Sequence, residues 1–270
     1  MLRVPPSRLG VRAAQRDGHG MERVTMRMRV CMNALLATFA VHVDHHQSWA
    51  KLVKERPRAA GQHVTLRPCR VNLDDQKEVI NLIGKKFNGT IVYRTLDIGG
   101  DKQVSYLNLP VEENPFLGVR GIRLSLANED IFTSQVKSIL LSGYVDQIKI
   151  MFPMISTVSD FLEAKSFVEN IATELNVSMP QLGIMVETPS SVFLVDKFAE
   201  VVDFISIGTN DLTQYIMAAD RGNTQLSHYQ DPLSPAVIRA ISKVIDVGRE
   251  HNIEVSVCGE MASDLSLIHI

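Results

Sequence analysis

The stretch Leu182–Tyr215, LGIMVETPSSVFLVDKFAEVVDFISIGTNDLTQY, decides how the rest of the chain is read. It holds two short apolar runs, Leu182 to Val186 and Val201 to Ile207, both rich in Val, Ile and Phe. Runs of this length are too short for core helices and suit parallel strands buried on both faces. Each stops abruptly in polar residues, Glu187-Thr188-Pro189 after the first and Gly208-Thr209-Asn210-Asp211 after the second. Between them, Ser190 to Ala199 has the length and apolar spacing of a helix. The unit is strand, helix, strand, with a carboxylate just past the C-terminal end of each strand. In a barrel of alternating strands and helices, that end carries the chemistry. Glu187 and Asp211 would then face one another across the mouth. Two convergent carboxylates are the usual protein share of a Mg²⁺ site completed by water and substrate oxygens. The competing reading is a helix N-cap for Asp211 and a solvated loop for Glu187.

The same grammar extends in both directions. Val79, Ile80, Leu82, Ile83 and Phe87 recur at helical spacing, and Asn88-Gly89 stops that helix. Ile91 to Leu96 is a strand that delivers Arg94 near its end. A long polar loop follows, DIGGDKQVSYLNLPVEENPFLG, of a length that usually marks function. Arg120 and Arg123 open a helical region to about Leu141, and Gln147 to Met151 is the next strand. Thr157 or Ser159 caps a long helix with Val158, Leu162, Phe167 and Ile171 on its apolar face. Beyond Tyr215, Ser234-Pro235 opens a helix to about Arg249, and Ile253 to Val257 is a last strand ending in Cys258-Gly259-Glu260. Five strands are predicted, ending at Arg94, Met151, Val186, Ile207 and Val257. Strand–helix repeats build a parallel sheet with right-handed crossovers. The result is either an open doubly wound sheet or a (β/α)₈ barrel with strands missing. The strand ends present Arg94, Glu187, Asn210, Asp211 and Cys258, with Arg120 and Arg221 from nearby loops. Arginines beside carboxylates suit a small ligand carrying phosphate, bound through Mg²⁺. The bland alternatives are surface salt bridges for Arg120 and Arg221 and a small buried apolar residue for Cys258.

Composition bounds the rest. The chain has 270 residues, 45% hydrophobic and 21% charged, enough for a barrel-sized core. No apolar run reaches membrane-spanning length. Cys31, Cys69 and Cys258 follow no disulfide-like spacing and suit a reducing compartment, hence a cytoplasmic location. The net charge of −2 hides a division. Residues 1–70 carry thirteen Arg and Lys against four acidic residues, a net of +9, and the remainder carries fifteen against twenty-six, a net of −11. The basic segment reads as an appended arm for anionic surfaces, an Arg-rich targeting peptide, or a foreign join, the last being the expectation adopted here. His42-Val-Asp44-His45-His46 has metal-ligand chemistry, but no second cluster completes a site.

RTLDIGGDK (Arg94–Lys102), NPFLGVRGIR (Asn114–Arg123), IMFPMI (Ile150–Ile155), GIMVETPSS (Gly183–Ser191), FISIGTNDLTQY (Phe204–Tyr215), DRGN (Asp220–Asn223) and CGEMASD (Cys258–Asp264) occur in this order. Together they resemble the phosphoenolpyruvate-binding domain of the phosphoenolpyruvate–protein phosphotransferases, Enzyme I of the sugar phosphotransferase system. Pyruvate phosphate dikinase and phosphoenolpyruvate synthase share the GTNDLTQ-like and CGE-like patches, whereas RTLDIGGDK looks like Enzyme I. The resemblance implies a (β/α)₈ TIM barrel, of which the chain would hold about strands three to seven of eight. It implies Mg²⁺ on Glu187 and Asp211, substrate binding by Arg94, Arg120, Asn210 and Arg221, and proton donation to the enolate by Cys258. It further implies transfer of the phosphoryl group to a protein histidine, a phosphocarrier protein reached through a further N-terminal domain, and a homodimer. No nucleic acid or membrane partner is implied.

The resemblance runs over residues 74–264. Residues 1–73 are expected to be unrelated to it and to leave the barrel incomplete, the GLxRTEFL motif of the second barrel strand being absent. The alternative is that Met26 to Val43 and Val64 to Val71 supply two strands. Residues 265–270, LSLIHI, are expected to be adaptor-derived. Two classes of function follow: a piece of the phosphotransferring enzyme, or a non-catalytic module that keeps the ligand site, with a related dikinase as a third reading.

Overall fold

The structure, a computed structural model, describes residues 64–66, 72–87, 89–98 and 111–263. The elements in chain order are β1 (Val64–Leu66), α1 (Leu73–Lys86), β2 (Ile91–Arg94), α2 (Ile122–Ala127), α3 (Glu129–Leu140), β3 (Ile148–Phe152), α4 (Val158–Leu175), β4 (Gln181–Val186), α5 (Pro189–Phe193), α6 (Val195–Ala199), β5 (Phe204–Gly208), α7 (Thr209–Met217), α8 (Pro235–Glu250) and β6 (Glu254–Cys258). The six strands form one sheet in the order β1-β2-β3-β4-β5-β6. Every pairing between neighbours is parallel.

Side-chain alternation splits the sheet into two faces. Ile91, Tyr93, Ile148, Ile150, Phe152, Ile184, Ile205 and Ile207 point to one face and share a cluster with helix residues such as Ile80, Phe132, Phe161 and Val244. Val92, Met151, Met185, Phe204 and Cys258 point to the other and form a cluster of strand residues alone. Helices therefore cover one face and strands line the other, as in a barrel wall. The curl is visible in a cross-sheet ion pair on the inner face. Lys149 Nζ on β3 lies 2.9 Å from Glu254 Oε2 on β6. In a flat sheet those strands would stand roughly 14 Å apart, three spacings of ~4.8 Å, beyond the reach of the two side chains. The described residues thus form an arc of a (β/α)₈ barrel. Phe132, Phe152, Phe161 and Phe167 fill the helix side near β3, with Phe132 and Phe167 stacked at 4.5 Å between ring centroids.

Several expectations change in detail. The strand count of five is one short, because Val64–Leu66 pairs in parallel with Ile91–Tyr93. This strand falls within Val64 to Val71, which the alternative reading offered as a strand. Met26 to Val43, the His42–His46 cluster, Cys31, Cys69 and residues 265–270 lie outside the described residues, as does most of the loop after β2. The single helix expected over Ser190 to Ala199 is two short ones, α5 and α6. A capping box between Thr188 and Ser191 closes the first turn, and Leu194 at φ −97 and ψ 13 ends α5. The helical region after Arg120 is likewise broken at Asn128, whose side-chain amide donates to Leu124 O at 2.9 Å. Ser234 stands at the N-cap of α8 without making a side-chain cap bond.

Thr157 is the cap of α4. Its hydroxyl accepts from Asp160 N at 3.2 Å, and the Asp160 carboxylate accepts from Thr157 N at 2.8 Å. Thr157→Ala removes one half of this box. It is expected to cost about 1 kcal/mol and to lower the melting temperature by about 2–4 °C. An unchanged thermal melt would show that water replaces the cap.

Candidate active site

The inward parity of the strands carries the first side chains to one end of the barrel wall. Arg94 closes β2 with the same facing as Val92. Glu187, next after Val186, has the facing of Met185, and Cys258 closes β6 opposite Gly208. Val186 pairs with Ile207, so Glu187, Gly208 and Cys258 form one layer at the C-terminal ends of three adjacent strands. Gly208 has to be small there, since a Cβ would come within 2.9 Å of Glu187 Oε2 and of the Met185 side chain. The resulting pocket is lined by Arg94, Asp97, Met185, Glu187, Asn210, Asp211, Arg221 and Cys258, with Gly208 and Gly259.

Charges alternate around this pocket. Arg94 Nη1 lies 3.0 Å from Asp97 Oδ2. Arg120 Nη2 lies 3.0 Å from Asp97 Oδ1 and 3.1 Å from Asp211 Oδ2. Arg221 Nη1 lies 3.1 Å from Asp211 Oδ1. Each aspartate therefore sits between two guanidinium groups. Asp211 is the third residue of α7, inside its first turn, so the helix-cap reading of it does not apply. Arg120 Nη1 also donates to Tyr215 Oη at 3.1 Å, and Tyr215 Oη donates to Phe116 O. The turn carrying Arg120 is fixed by Gly121 at φ +58, where a Cβ would strike the Met154 side chain. Met154 is itself left-handed at φ 59 and aims its N–H at Glu187 Oε1, 2.6 Å away. A non-glycine residue in that region costs roughly 1 kcal/mol or more, which the fold sustains at the edge of the pocket.

Electrostatics follow from burial. The Glu187 carboxyl is pushed up to about 8, first by burial and then by Asp211 and Asp97, with Arg94 and Arg120 pulling the other way. Burial pushes Arg120 down, but Asp97 and Asp211 outweigh it and hold the guanidinium above its usual range. The Tyr215 hydroxyl is raised, chiefly by burial. Three arginines face three carboxylates, so a protonated Glu187 leaves the cluster one charge positive.

Of the residues expected at the mouth, Arg94, Glu187, Asn210, Asp211, Arg221 and Cys258 line this one pocket. Arg120 stands behind it, buried at 2% exposure, its donors engaged by Asp97, Asp211 and Tyr215. Cys258 Sγ donates to Ile207 O at 3.2 Å and receives the Ser206 hydroxyl at 3.5 Å. Arg94 Nε is buried without a hydrogen-bond partner. Asp97, Tyr215 and Met154 are additions that the sequence reading lacked. A signal for Asp97 was available in its position three residues after Arg94, still at the strand end. Among the described residues no group of three or more His, Cys, Asp or Glu side chains is arranged to hold a metal ion. Two carboxylates on one pocket wall, one of them resisting ionisation beside the other, nonetheless fit a hard divalent cation that also takes water and ligand oxygens.

The chain matches the family model of the PEP-binding domain of PEP-utilising enzymes over residues 47–270. It is 46% identical over 198 residues to the phosphoenolpyruvate-protein phosphotransferase of Staphylococcus aureus, covering 71% of this chain and 34% of that protein. Against the protein of the same name from Mycoplasma capricolum it is 43% identical over 203 residues, 73% of this chain and 35% of the other. The corresponding figures for Listeria monocytogenes are 44% over 203 residues, 72% and 35%. The chain spans about a third of the length of these relatives. Among solved structures, an HpcH/Hpal aldolase/citrate lyase family protein from Burkholderia cenocepacia aligns with a TM-score of 0.40 at 15% identity, over 73% of this chain and 69% of that one.

Proposed function

The chain belongs to the PEP-utilising enzymes through their PEP-binding domain, and on that premise we propose that its pocket binds phosphoenolpyruvate and supports transfer of the phosphoryl group to a protein histidine, releasing pyruvate. The observation that carries this reading is the meeting of Arg94, Arg221 and Cys258 in one pocket at the strand ends. Arg94 and Arg221 hold the phosphate and carboxylate of the substrate, and the Asn210 amide orients it. Glu187 and Asp211 would hold Mg²⁺, which when bound neutralises charge on the phosphoryl and enolate oxygens. Arg120 keeps both aspartates in place. As the bond between phosphorus and the C2 oxygen breaks, the phosphoryl group passes to the acceptor imidazole nitrogen. The enolate electron pair then takes the Cys258 proton at C3, giving pyruvate and a thiolate that regains a proton from water.

A phosphocarrier protein acting through a further domain, a homodimer and a cytoplasmic setting complete the reading. Among the described residues no helix is long and apolar enough to cross a membrane.

The test is calorimetric titration with phosphoenolpyruvate and Mg²⁺, followed by pyruvate release with a phosphorylatable acceptor domain supplied in trans. Cys258→Ala is expected to bind phosphoenolpyruvate about as well as the parent and to lose pyruvate release by about 10²–10⁴-fold, the range of a missing general acid. Full release from the variant would refute the thiol's role. Failure of the parent to bind would refute the proposal, and binding without turnover would favour a ligand-binding module.

A further inference from the structure

We infer that Phe116 is a positioning residue that holds Arg120 and Arg221 in their working orientation through its aromatic face. The inference rests on the proposed phosphoenolpyruvate site for its meaning, but on separate contacts for its support. The Phe116 ring centroid lies 5.3 Å from the Arg221 guanidinium carbon and 5.9 Å from that of Arg120. Both distances fall within the range at which a ring quadrupole attracts a cation. These two arginines come from different loops, and both close on Asp211 at 3.1 Å. Asp211 draws both guanidinium groups together but leaves their tilt open; the negative face of an aromatic ring adds attraction, and its flatness limits where each guanidinium can lie.

The ring is held to this task from three sides. Tyr215 Oη donates to Phe116 O while receiving Arg120 Nη1. Arg123 Nη1 donates to Leu117 O at 3.0 Å and to Gly118 O at 3.1 Å. The Glu112 carboxylate accepts from Val119 N at 3.0 Å, closing the segment on itself. Leu117, the next residue, is 64% exposed, so burial of apolar surface alone does not explain why this short turn is so firmly tied down. What these bonds fix is the placing of one ring against two arginines.

The test replaces the quadrupole while keeping the shape. Mono-, di- and trifluorophenylalanine at position 116 weaken the ring face in steps. Affinity for phosphoenolpyruvate, read by calorimetry, is expected to fall stepwise along the series, and in Phe116→Leu by about tenfold, the effect of two such contacts. Side-chain nuclear magnetic resonance of Arg120 and Arg221 gives a readout independent of the ligand. Their ring-current shifts should be present in the parent and in the fluorinated chains, and lost in Phe116→Leu. Flat affinity across the series would overturn the inference even if Phe116→Leu were unstable. If the parent binds no phosphoenolpyruvate, the proposed function fails, and the resonances decide alone: shifted signals in the parent support the clamp, and unshifted ones refute it.

Discussion

Arg120→Met is expected to destabilise the fold by about 3–5 kcal/mol, the usual result of removing one partner from a buried ion pair. The Arg120 side chain is 3% exposed and those of Asp97 and Asp211 are 3% and 8%. Methionine fills similar space but supplies no donor. Asp97 then keeps only Arg94 and Asp211 only Arg221, and the acceptors that Arg120 had bonded on Asp97, Asp211 and Tyr215 are left without that donor. Lysine is not a rescue, because one ammonium cannot reach Asp97, Asp211 and Tyr215 with the fixed fork that makes these contacts together. The double variant Arg120→Met with Asp97→Asn should regain part of the loss, since it removes a charge left without its strongest partner. Urea unfolding measures all of these. A loss below about 1 kcal/mol for Arg120→Met would mean the cluster is weakly coupled to the fold, as exposed pairs are.

Glu187→Gln should have the opposite sign, and its size should depend on pH. In the unfolded chain this carboxyl titrates near its ordinary value of 4.5, and in the fold at about 8. Below the lower value both states carry the proton and the residue is neutral in effect. Between the two values the unfolded chain has lost the proton and the fold keeps it, so stability falls as pH rises; above about 8 the penalty is constant. At ~1.4 kcal/mol per unit the full penalty is on the order of 5 kcal/mol. Glutamine can still accept from Met154 N and does not titrate. The variant should therefore match the parent most closely near pH 5 and exceed it in stability by several kcal/mol near pH 8, without divalent cations. Parallel stability profiles for the two chains would refute the burial account. If Glu187 and Asp211 take Mg²⁺ as proposed, the ion should stabilise the parent at pH 8 and leave the variant unmoved.

Legibility varied with the range of the contacts. Strands β3 to β5 could be read because each is a short, mostly apolar run closed by polar residues, and β6 because its residues alternate, patterns contained within six or seven residues. The helix cap at Thr157 is equally local. The strand-end position of Glu187 and Cys258 follows from the same runs. Val64–Leu66 was legible only as an alternative, within Val64 to Val71, because three residues give no period and its partner strand is twenty-seven positions away. The breaks at Asn128 and Leu194 escaped because the apolar spacing runs on through them: a side-chain bond marks the first, and a change of backbone angles the second. Arg120 shows the limit most clearly. Its place in the sequence suggested a hand on the substrate, but its side-chain partners Asp97, Asp211 and Tyr215, 23, 91 and 95 residues away, could not be read there. No spacing rule announces such a contact, and Tyr215 was missed for the same reason.

The inward and outward alternation of the strands also limits how this chain can change length. Loss or gain of one residue within β4 would carry Glu187 to the helix side and put Val186 in the pocket. Loss of two residues would keep the carboxylate inward but lower it by about 6.6 Å, two rises of a strand. The same counting applies to Arg94 on β2 and Cys258 on β6. Strand lengths are thus fixed in steps of two, and in practice fixed outright, while the helices and loops behind them carry no such parity.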